Sequence, residues 1–125
     1  MNIPDDLKYT KTHEWIRLEG SVATIGITDY AQSELGDIVY VELPEAGRIL
    51  AVGDTFGTVE SVKTVSDVYA PVSGEVVETN PELESASELL NQEPYGEGWM
   101  VKIRMDGDVP DALTADAYRT LLETE

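Results

Sequence analysis

Short β-prone runs, each ended within a few residues by glycine or proline, most strongly limit what this chain can fold into. Residues 13–18 and 21–27 flank the turn pair Glu19-Gly20, and this pattern predicts a β-hairpin. Further runs rich in β-branched and aromatic residues follow at residues 37–43, 55–70, 75–79 and 99–105. Many short strands joined by tight turns predict a mainly β protein, an antiparallel β-sandwich or flattened barrel.

The alternation of side chains within residues 37–43 predicts which of them share a strand face. Pro44 ends the run at residues 37–43, and the period of two within that run predicts two opposite faces. One face carries Ile38, Tyr40 and Glu42, and the other carries Val39, Val41 and Leu43. His13, at the start of the first run, is expected to support Trp15 or to lie on an exposed strand face.

Three segments are predicted to be short helices attached to the sheets. Residues 28–36 begin at a good capping residue, Thr28, and end at Gly36, which tolerates a left-handed conformation. Residues 81–93 are polar with a few leucines, and they predict a loop with a short helix. The tail at residues 114–124 predicts an amphipathic C-terminal helix. Its expected apolar face consists of Ala117, Leu121 and Leu122.

Residue counts exclude most common kinds of catalytic site. The chain has 125 residues, which fits one domain and leaves little room for two. It contains no cysteine and a single histidine. Disulfides, thiolate metal sites, a cysteine nucleophile and a multi-histidine metal site are therefore excluded within one chain, and we expect no metal.

The net charge limits the kinds of partner that the chain can bind, and the N-terminal residues bear on its location in the cell. Acidic residues number 25 and basic residues 8, so the formal charge is −17. Such a surface repels nucleic acid and anionic membranes and favours partners with basic faces, although it would equally serve solubility in a salty cytoplasm. Residues 1–6 lack the features of a signal or transit peptide. No apolar stretch reaches the roughly 20 residues of a membrane-spanning helix. We expect a cytoplasmic protein, and an organellar mature form would look the same.

Lys63 lies near the middle of the longest β-prone run, at residues 55–70. If the two halves of the run pair, Lys63 stands at or near the tip of a hairpin, where a modifying enzyme could reach its amine. A group attached there would swing on a long, flexible arm. Most exposed hairpin lysines are only solvated charges, so the position alone leaves the function open.

The residues around Lys63 resemble the biotinyl/lipoyl carrier family. The matching motifs are Gly53-Asp54, Val59-Glu60-Ser61-Val62-Lys63 and Ala70-Pro71-Val72-Ser73-Gly74-Glu75-Val76. In that family the lysine at the hairpin tip carries the cofactor, and biotin carriers usually flank it with methionines. Here Val62 and Thr64 flank it, so the resemblance implies lipoate attached to Lys63.

Five motifs in order along the chain resemble the H-protein family of the glycine cleavage system. They are Tyr9 with Thr12-His13-Glu14-Trp15, residues 22–28, residues 36–44, residues 60–63, and Gly98-Trp99-Met100. The resemblance runs from about Leu7 to the C-terminal helix. It implies one lipoyl-carrier domain at residues 1–125, of the barrel-sandwich hybrid type. Its expected parts are a core at about 13–106, a lipoyl hairpin at about 55–71 and a C-terminal helix at about 114–124.

The resemblance also implies a carrier that serves enzymes and is not itself an enzyme. A pyridoxal phosphate-dependent glycine decarboxylase would load an aminomethyl group onto lipoyl-Lys63, and an aminomethyltransferase would pass the carbon to tetrahydrofolate. Dihydrolipoyl dehydrogenase would then reoxidise the dithiol. A lipoylating enzyme must first recognise the folded hairpin. Its expected handles are Glu60, Ser61, Val62 and Thr64. A carrier that visits its partners transiently is expected to be a monomer.

The loaded arm is expected to fold into a cleft on the carrier, because water can remove its carbon unit. The resemblance associates this cleft with Thr12, Glu14, Ile27 and Asp67. Glu14 is expected to pair with the cationic nitrogen, with Thr12 and Asp67 as polar supports and Ile27 as an apolar wall. The family often has histidine near the position of Glu34, where an acid would either strengthen cation binding or open the pocket.

Three other functions remain open. An H-like carrier could donate or relay lipoate to other carriers. An enzyme could use Lys63 as a Schiff-base nucleophile, but that needs a desolvated lysine, and a hairpin tip among acids has the opposite bias. An unmodified acidic interaction module would bind its partners independently of Lys63.

Overall fold

The fold is described from a computed structural model that covers residues 1–107, 109 and 112–124. Asp108, Pro110, Asp111 and Glu125, which fall within the predicted domain, lie outside the described residues. The strands are β1 (Lys8–Tyr9), β2 (Glu14–Glu19), β3 (Val22–Ile27), β4 (Ile38–Glu42), β5 (Ile49–Leu50), β6 (Thr55–Ser61), β7 (Val65–Tyr69), β8 (Gly74–Thr79) and β9 (Val101–Met105). The helices are α1 (Asp29–Leu35), α2 (Leu89–Gln92) and α3 (Ala115–Thr124), with a 3₁₀ helix at Pro81–Glu84.

Two antiparallel sheets make up the body of the described chain. The larger has the order β1-β2-β3-β9-β8-β5, and the smaller has the order β4-β6-β7. The predicted mainly β class, with short helices and a C-terminal helix, is confirmed. Adjacent side chains of a strand point to opposite faces, and in β2 both faces are buried: Ile16 packs in the core between the sheets, and Trp15 packs on the other side, beside α3.

The predicted hairpin of β2 and β3 is confirmed, and its register depends on a close approach at Gly26. Glu14 pairs with Ile27, and Trp15 pairs with Gly26. A Cβ atom at Gly26 would lie 2.7 Å from Nε1 of Trp15, so the indole occupies the space that any other residue would fill. The pairing of β2 with β3 therefore fixes the positions of the buried Trp15 and of its neighbour Glu14.

Two apolar clusters hold the layers together. The first draws on both sheets, including Ile25 and Ile103 from the larger and Val59 and Val68 from the smaller. The second surrounds Trp15 and joins α3 to β1 and β2. Its buried members are Leu7, Tyr9, Trp15, Tyr95, Ala115 and Tyr118. The C-terminal helix is thus fixed against the strands that carry Glu14.

The predicted faces of β4 are wrong. Pairing between β4 and β6 shifts register between Ile38 and Tyr40. Ile38 and Val41 are therefore both buried, while the adjacent Val39 and Tyr40 are both exposed. A bulge places an extra residue in one strand and breaks the period of two.

The helices follow the sequence more closely, with one difference in α1 and one in α3. In α1, the Thr28 hydroxyl accepts a hydrogen bond from the amide of Ala31, as predicted. Gly36 ends the helix as predicted and has a positive φ of 81°, but its ψ of −157° lies outside the left-handed helical region that the sequence predicts. In α3 the predicted leucines are half-buried, but Ala117 is exposed, and Tyr118 takes a buried position. Tyr118 stacks on a tyrosine of β1, and that contact sets which face of α3 meets the sheet.

Candidate functional site

Lys63 lies in the turn between β6 and β7. The Ser61 amide donates to the Thr64 carbonyl at 2.8 Å, which leaves Val62 and Lys63 as a two-residue tip. Lys63 is exposed, so its amine is accessible from solvent. Pairing of the two halves of residues 55–70 thus produces the hairpin that the sequence predicts.

The tip is attached to the end of α1. The Val62 amide donates to the Asp37 carbonyl at 3.1 Å. A Cβ atom at Gly36 would lie 3.8 Å from Cε of Lys63, so the aliphatic part of the lysine passes close to that glycine. The Asn91 side chain fixes the same segment: it donates a hydrogen bond to the Gly36 carbonyl and accepts one from the Ile38 amide, each at 2.9 Å. The lysine turn therefore stands on a hydrogen-bonded base.

The four predicted recognition residues divide into two kinds. Glu60, Val62 and Thr64 are exposed around the lysine and can be contacted directly by another protein. Ser61 is buried, with 5% of its surface exposed. It therefore faces the turn and not a partner.

A cavity of about 580 Å³ opens near the other end of β7. Thr10, Thr12 and Glu14 contribute polar groups to its wall, and Lys11 also lines it. The remaining lining residues are Val52, Gly53, Tyr69, Ala70, Pro71, Ala112 and Leu113. Because β7 is five residues long, the lysine turn and the cavity are separated by one strand length, about 17 Å.

Glu14 is the central polar group of this cavity. It is 2% exposed, and its Oε1 accepts hydrogen bonds of 2.6 Å from the hydroxyls of both Thr10 and Thr12. Burial raises the pKa of Glu14 above its ordinary value, while the two threonines and the Tyr69 backbone oppose the rise. A cation entering the cavity would favour the ionised carboxylate. The arrangement therefore suits a ligand that brings its own positive charge.

The turn before Glu14 is held in an unusual conformation. His13 has a φ of 71°, a left-handed conformation that few non-glycine residues adopt. Its Nδ1 lies 2.8 Å from the hydroxyl of Tyr118, and its ring also packs near Tyr30. β2 begins one residue later, so the expectation that His13 lies on an exposed strand face is wrong. The ring instead links α3 to the turn that places Thr12 and Glu14.

The structure places the other predicted cleft residues outside the cavity lining. Ile27 is buried and pairs with Glu14 across β2 and β3. Asp67 is exposed on β7, between the lysine turn and the cavity, and Glu34 is exposed on α1. Thr12 and Glu14 are thus brought together, and the remaining three are not part of this wall.

Sequence reasoning missed several residues of the cavity. Thr10 is the most important, because its hydroxyl both donates to the Glu14 carboxylate and accepts from the Glu14 amide at 3.1 Å. The available signal was the spacing of Thr10, Thr12 and Glu14 around one tight turn. Nothing local to Tyr69 or Leu113 indicated that they would share a wall with that turn.

Within the described residues, no cluster of three or more metal-ligating side chains is arranged to hold an ion. None of the helices in that part of the chain is long and apolar enough to span a bilayer. The candidate site comprises one exposed amine at the Lys63 turn and one buried carboxyl group in the cavity.

Comparisons with known proteins agree on one family. The family model described as glycine cleavage H-protein matches residues 7–125. The glycine cleavage system H protein of Chlorobium limicola is 60% identical over 126 residues, covering 98% of each chain. That of Rubrobacter xylanophilus is 57% identical over 123 residues, covering 98% of this chain and 97% of the relative. The crystal structure of a glycine cleavage system H protein from Mycobacterium marinum superposes with a TM-score of 0.91 at 39% identity, covering 97% of this chain and 99% of that one. The chain therefore belongs to the glycine cleavage H-protein family.

Proposed function

We propose that the chain carries a lipoyl group on Lys63 and shuttles it among the enzymes of the glycine cleavage system. It would take an aminomethyl group from glycine decarboxylase to aminomethyltransferase, and the reduced dithiol to dihydrolipoyl dehydrogenase. As a member of the H-protein family, the chain is a carrier component and not an enzyme. The observation that carries the proposal is an exposed lysine on a hairpin tip, one strand length from a cavity that contains a buried carboxyl group.

The lysine turn fits covalent attachment of a long arm. Lys63 is exposed, and the turn projects from paired strands, so a modifying enzyme can reach the amine without unfolding the sheet. When bound, the lipoyl group would supply a disulfide that opens as one of its sulfurs takes the aminomethyl group; the dithiol left after the carbon unit is passed on would be reoxidised to the disulfide by dihydrolipoyl dehydrogenase. The exposure of Lys63 also removes the desolvated pocket that a Schiff-base lysine needs.

The cavity fits an aliphatic arm that ends in a cation. Its apolar walls, such as Val52, Pro71 and Leu113, suit a hydrocarbon chain. Its polar end presents the Glu14 carboxylate, already oriented by hydrogen bonds from Thr10 and Thr12. An ammonium group there would form a charge-assisted hydrogen bond, the stronger kind, and would be shielded from water. We infer that Glu14 binds the aminomethyl nitrogen.

The outer face of the small sheet fits transient docking of the partners. Tyr40, Glu60 and Val65 pair across the three strands, next to the lysine turn. Tyr40 is 55% exposed and Val65 is 60% exposed. Apolar side chains flanked by acids favour a partner with a basic rim and an apolar centre. We propose that the carrier visits such partners as a monomer.

Mass spectrometry and reconstitution test this function. Intact mass and peptide mapping of protein from its native host are expected to show one lipoyl group on Lys63. The lipoylated chain is then expected to support glycine decarboxylation with the three purified partner enzymes, and the unmodified chain is not. A biotin mass would move the protein to the carboxylase carriers. An unmodified Lys63 in cells that make lipoate would contradict the shuttle.

A lipoate relay is distinguished from the shuttle by a second assay. Protein carrying labelled lipoate is mixed with an unmodified second carrier and the transfer enzymes. Transfer of the label would support the relay, which one protein could combine with glycine cleavage. Partner binding that persists after Lys63→Arg, with no lipoyl group in the host, would support the unmodified interaction module.

A further inference from the structure

We propose that Ser61 is a positioning residue for the modification of Lys63. Its hydroxyl group holds the backbone of the lysine turn in the shape that the lipoylating enzyme binds. The proposal rests on the proposed attachment of lipoate to Lys63.

Burial separates Ser61 from the residues that an enzyme can touch. Val62 is 72% exposed, and Glu60 and Thr64 are exposed as well. Ser61 is 5% exposed, so its hydroxyl is inaccessible to a docked protein unless the turn unfolds. Any effect of this hydroxyl on modification must therefore pass through the turn.

Three hydrogen bonds converge on the Ser61 hydroxyl. Its Oγ accepts from the Lys63 amide at 3.3 Å and from the Thr64 amide at 3.2 Å. It lies 3.3 Å from the Thr64 carbonyl, to which it donates its proton. One donor and two acceptor positions are all that a serine hydroxyl has, so its capacity is fully used. The bonds are long and individually weak, but they act on the attachment residue and its neighbour.

The turn lacks the conformation that usually stabilises a two-residue hairpin. Such hairpins favour turns with positive φ at one or both central residues, because these match the twist of the strands. Neither Val62 nor Lys63 has a positive φ; in the described chain His13 alone does so among residues other than glycine. The turn is therefore not stabilised by a match between its backbone twist and that of the flanking strands. The backbone bond from the Ser61 amide to the Thr64 carbonyl closes the turn, and the bond from the Val62 amide to the Asp37 carbonyl anchors one side. The Ser61 hydroxyl holds the amides of Lys63 and Thr64 on the other side.

Loss of the hydroxyl is expected to let the tip occupy several shapes. If a lipoylating enzyme binds one of them, its apparent affinity for the carrier falls in proportion to the population of that shape. The chemical step is unchanged: the deprotonated Lys63 amine displaces AMP from lipoyl adenylate, and an amide bond forms. We therefore expect KM to rise with little change in kcat.

The experiment uses the full chain with lipoate, ATP and an ATP-dependent lipoate–protein ligase. Ser61→Ala is expected to raise KM about tenfold, which corresponds to a turn that adopts the conformation bound by the ligase about one tenth of the time. Ser61→Thr keeps a hydroxyl and is expected to recover most of the loss. Ser66→Ala is the matched control, because Ser66 lies in the same hairpin and its hydroxyl contacts the carbonyl of Asp67, away from the tip.

Amide hydrogen exchange of the free protein separates positioning from a general loss of structure. In Ser61→Ala, exchange at Lys63 and Thr64 is expected to accelerate while the amides of β2 and β3 keep wild-type rates. Ser61→Cys fills nearly the same space with a weaker hydrogen-bonding group, and it is expected to show the same pattern if the alanine variant is poorly folded.

The outcomes distinguish this inference from the proposed function. If wild-type protein is modified at Lys63 and Ser61→Ala matches its KM and exchange rates, the positioning role is wrong and the carrier function stands. If the wild-type chain is not modified at Lys63 at all, the carrier function fails, and the inference fails with it. A fall in kcat with KM unchanged would also contradict positioning.

Discussion

The lysine turn and the Glu14 cavity lie towards opposite ends of β7 and meet opposite physical demands. In the proposed function Lys63 is reached by several proteins, and it stands in water on a narrow tip. In the same proposal Glu14 lies where water is excluded from a bound group, and only 2% of its surface is exposed. Both are nevertheless organised by neighbouring hydroxyls: Ser61 in the turn, and Thr10 and Thr12 in the cavity.

The comparison shows how one strand can separate access from protection. A charge on the tip is solvated at no cost, whereas a charge in the cavity loses its hydration and must be compensated locally. This difference is why burial raises the pKa of Glu14. A carrier with both sites can present its arm to partners and also hold it in a sheltered place.

The largest expected effect comes from removing the attachment amine. Lys63→Arg keeps a positive charge but cannot form the lipoyl amide, so modification and shuttle activity should be lost completely. Stability should change by less than about 0.5 kcal/mol, because the side chain is exposed. Intact mass and thermal unfolding check both points, with Lys8→Arg as the control, because Lys8 is exposed and lies outside the cavity lining. A lipoyl group on the Lys63→Arg chain would contradict the assignment.

The strand that leads into the lysine turn, β6, provides the next effect. A Cβ atom at Gly57 would meet the backbone carbonyl of Glu42, which a strand cannot move easily. Gly57→Ala is expected to lower the free energy of unfolding by about 2–3 kcal/mol. At Gly96 the nearest atom to a new Cβ is the flexible end of Glu93 at 3.6 Å, so Gly96→Ala should be nearly neutral. Equal urea midpoints for the two variants would show that the small sheet tolerates the shift.

At the cavity, Glu14→Gln is expected to leave lipoylation intact and shorten the lifetime of the aminomethyl-loaded form. The neutral amide loses the charge-assisted bond to the cationic nitrogen, worth about 1.5–3 kcal/mol, so release should accelerate about tenfold or more. Single-turnover release of formaldehyde and ammonia from the loaded carrier measures this. An unchanged lifetime would remove Glu14 from the proposed role.

A finer comparison separates the two threonines that bond to Glu14. Thr10 is half-buried and bonds to both the carboxylate and the amide of Glu14, whereas Thr12 is exposed. Thr10→Val should therefore shorten the loaded lifetime about threefold, and Thr12→Val by less than about twofold. The same release assay ranks them. The reverse order would mean that the exposed hydroxyl, and not the half-buried one, orients the carboxylate.

The smallest expected effect is on the pH dependence of stability. Because burial raises the pKa of Glu14 above its model-compound value of 4.5, the folded state keeps this proton to higher pH than the unfolded state. The resulting stabilisation is present below that value and is lost as pH rises through the folded pKa. Wild-type protein should thus lose stability relative to Glu14→Gln as the pH rises from 4.5 towards neutrality. Urea unfolding at several pH values tests this, and a difference that does not vary with pH would contradict it.

Local patterns in the sequence determined the fold class and the candidate attachment residue. Alternating runs ended by glycine and proline specify short antiparallel strands, because turn residues and side-chain period act within a few positions. Lys63 could be placed at a hairpin tip because its two flanking runs are adjacent in the chain. The order of motifs along the chain indicated the family for the same reason: each motif is contiguous.

Only the tertiary structure decided what surrounds Glu14 and which hairpin residues face outward. The cavity joins the turn at Thr10, the end of β7 at Tyr69 and the segment before α3 at Leu113, and no local pattern relates these positions. The bulge in β4 and the outward position of Ala117 also depend on partner elements far away in the chain. The period of two along a strand predicts which side chains share a face, but the packing of distant strands and helices decides which side chains are buried.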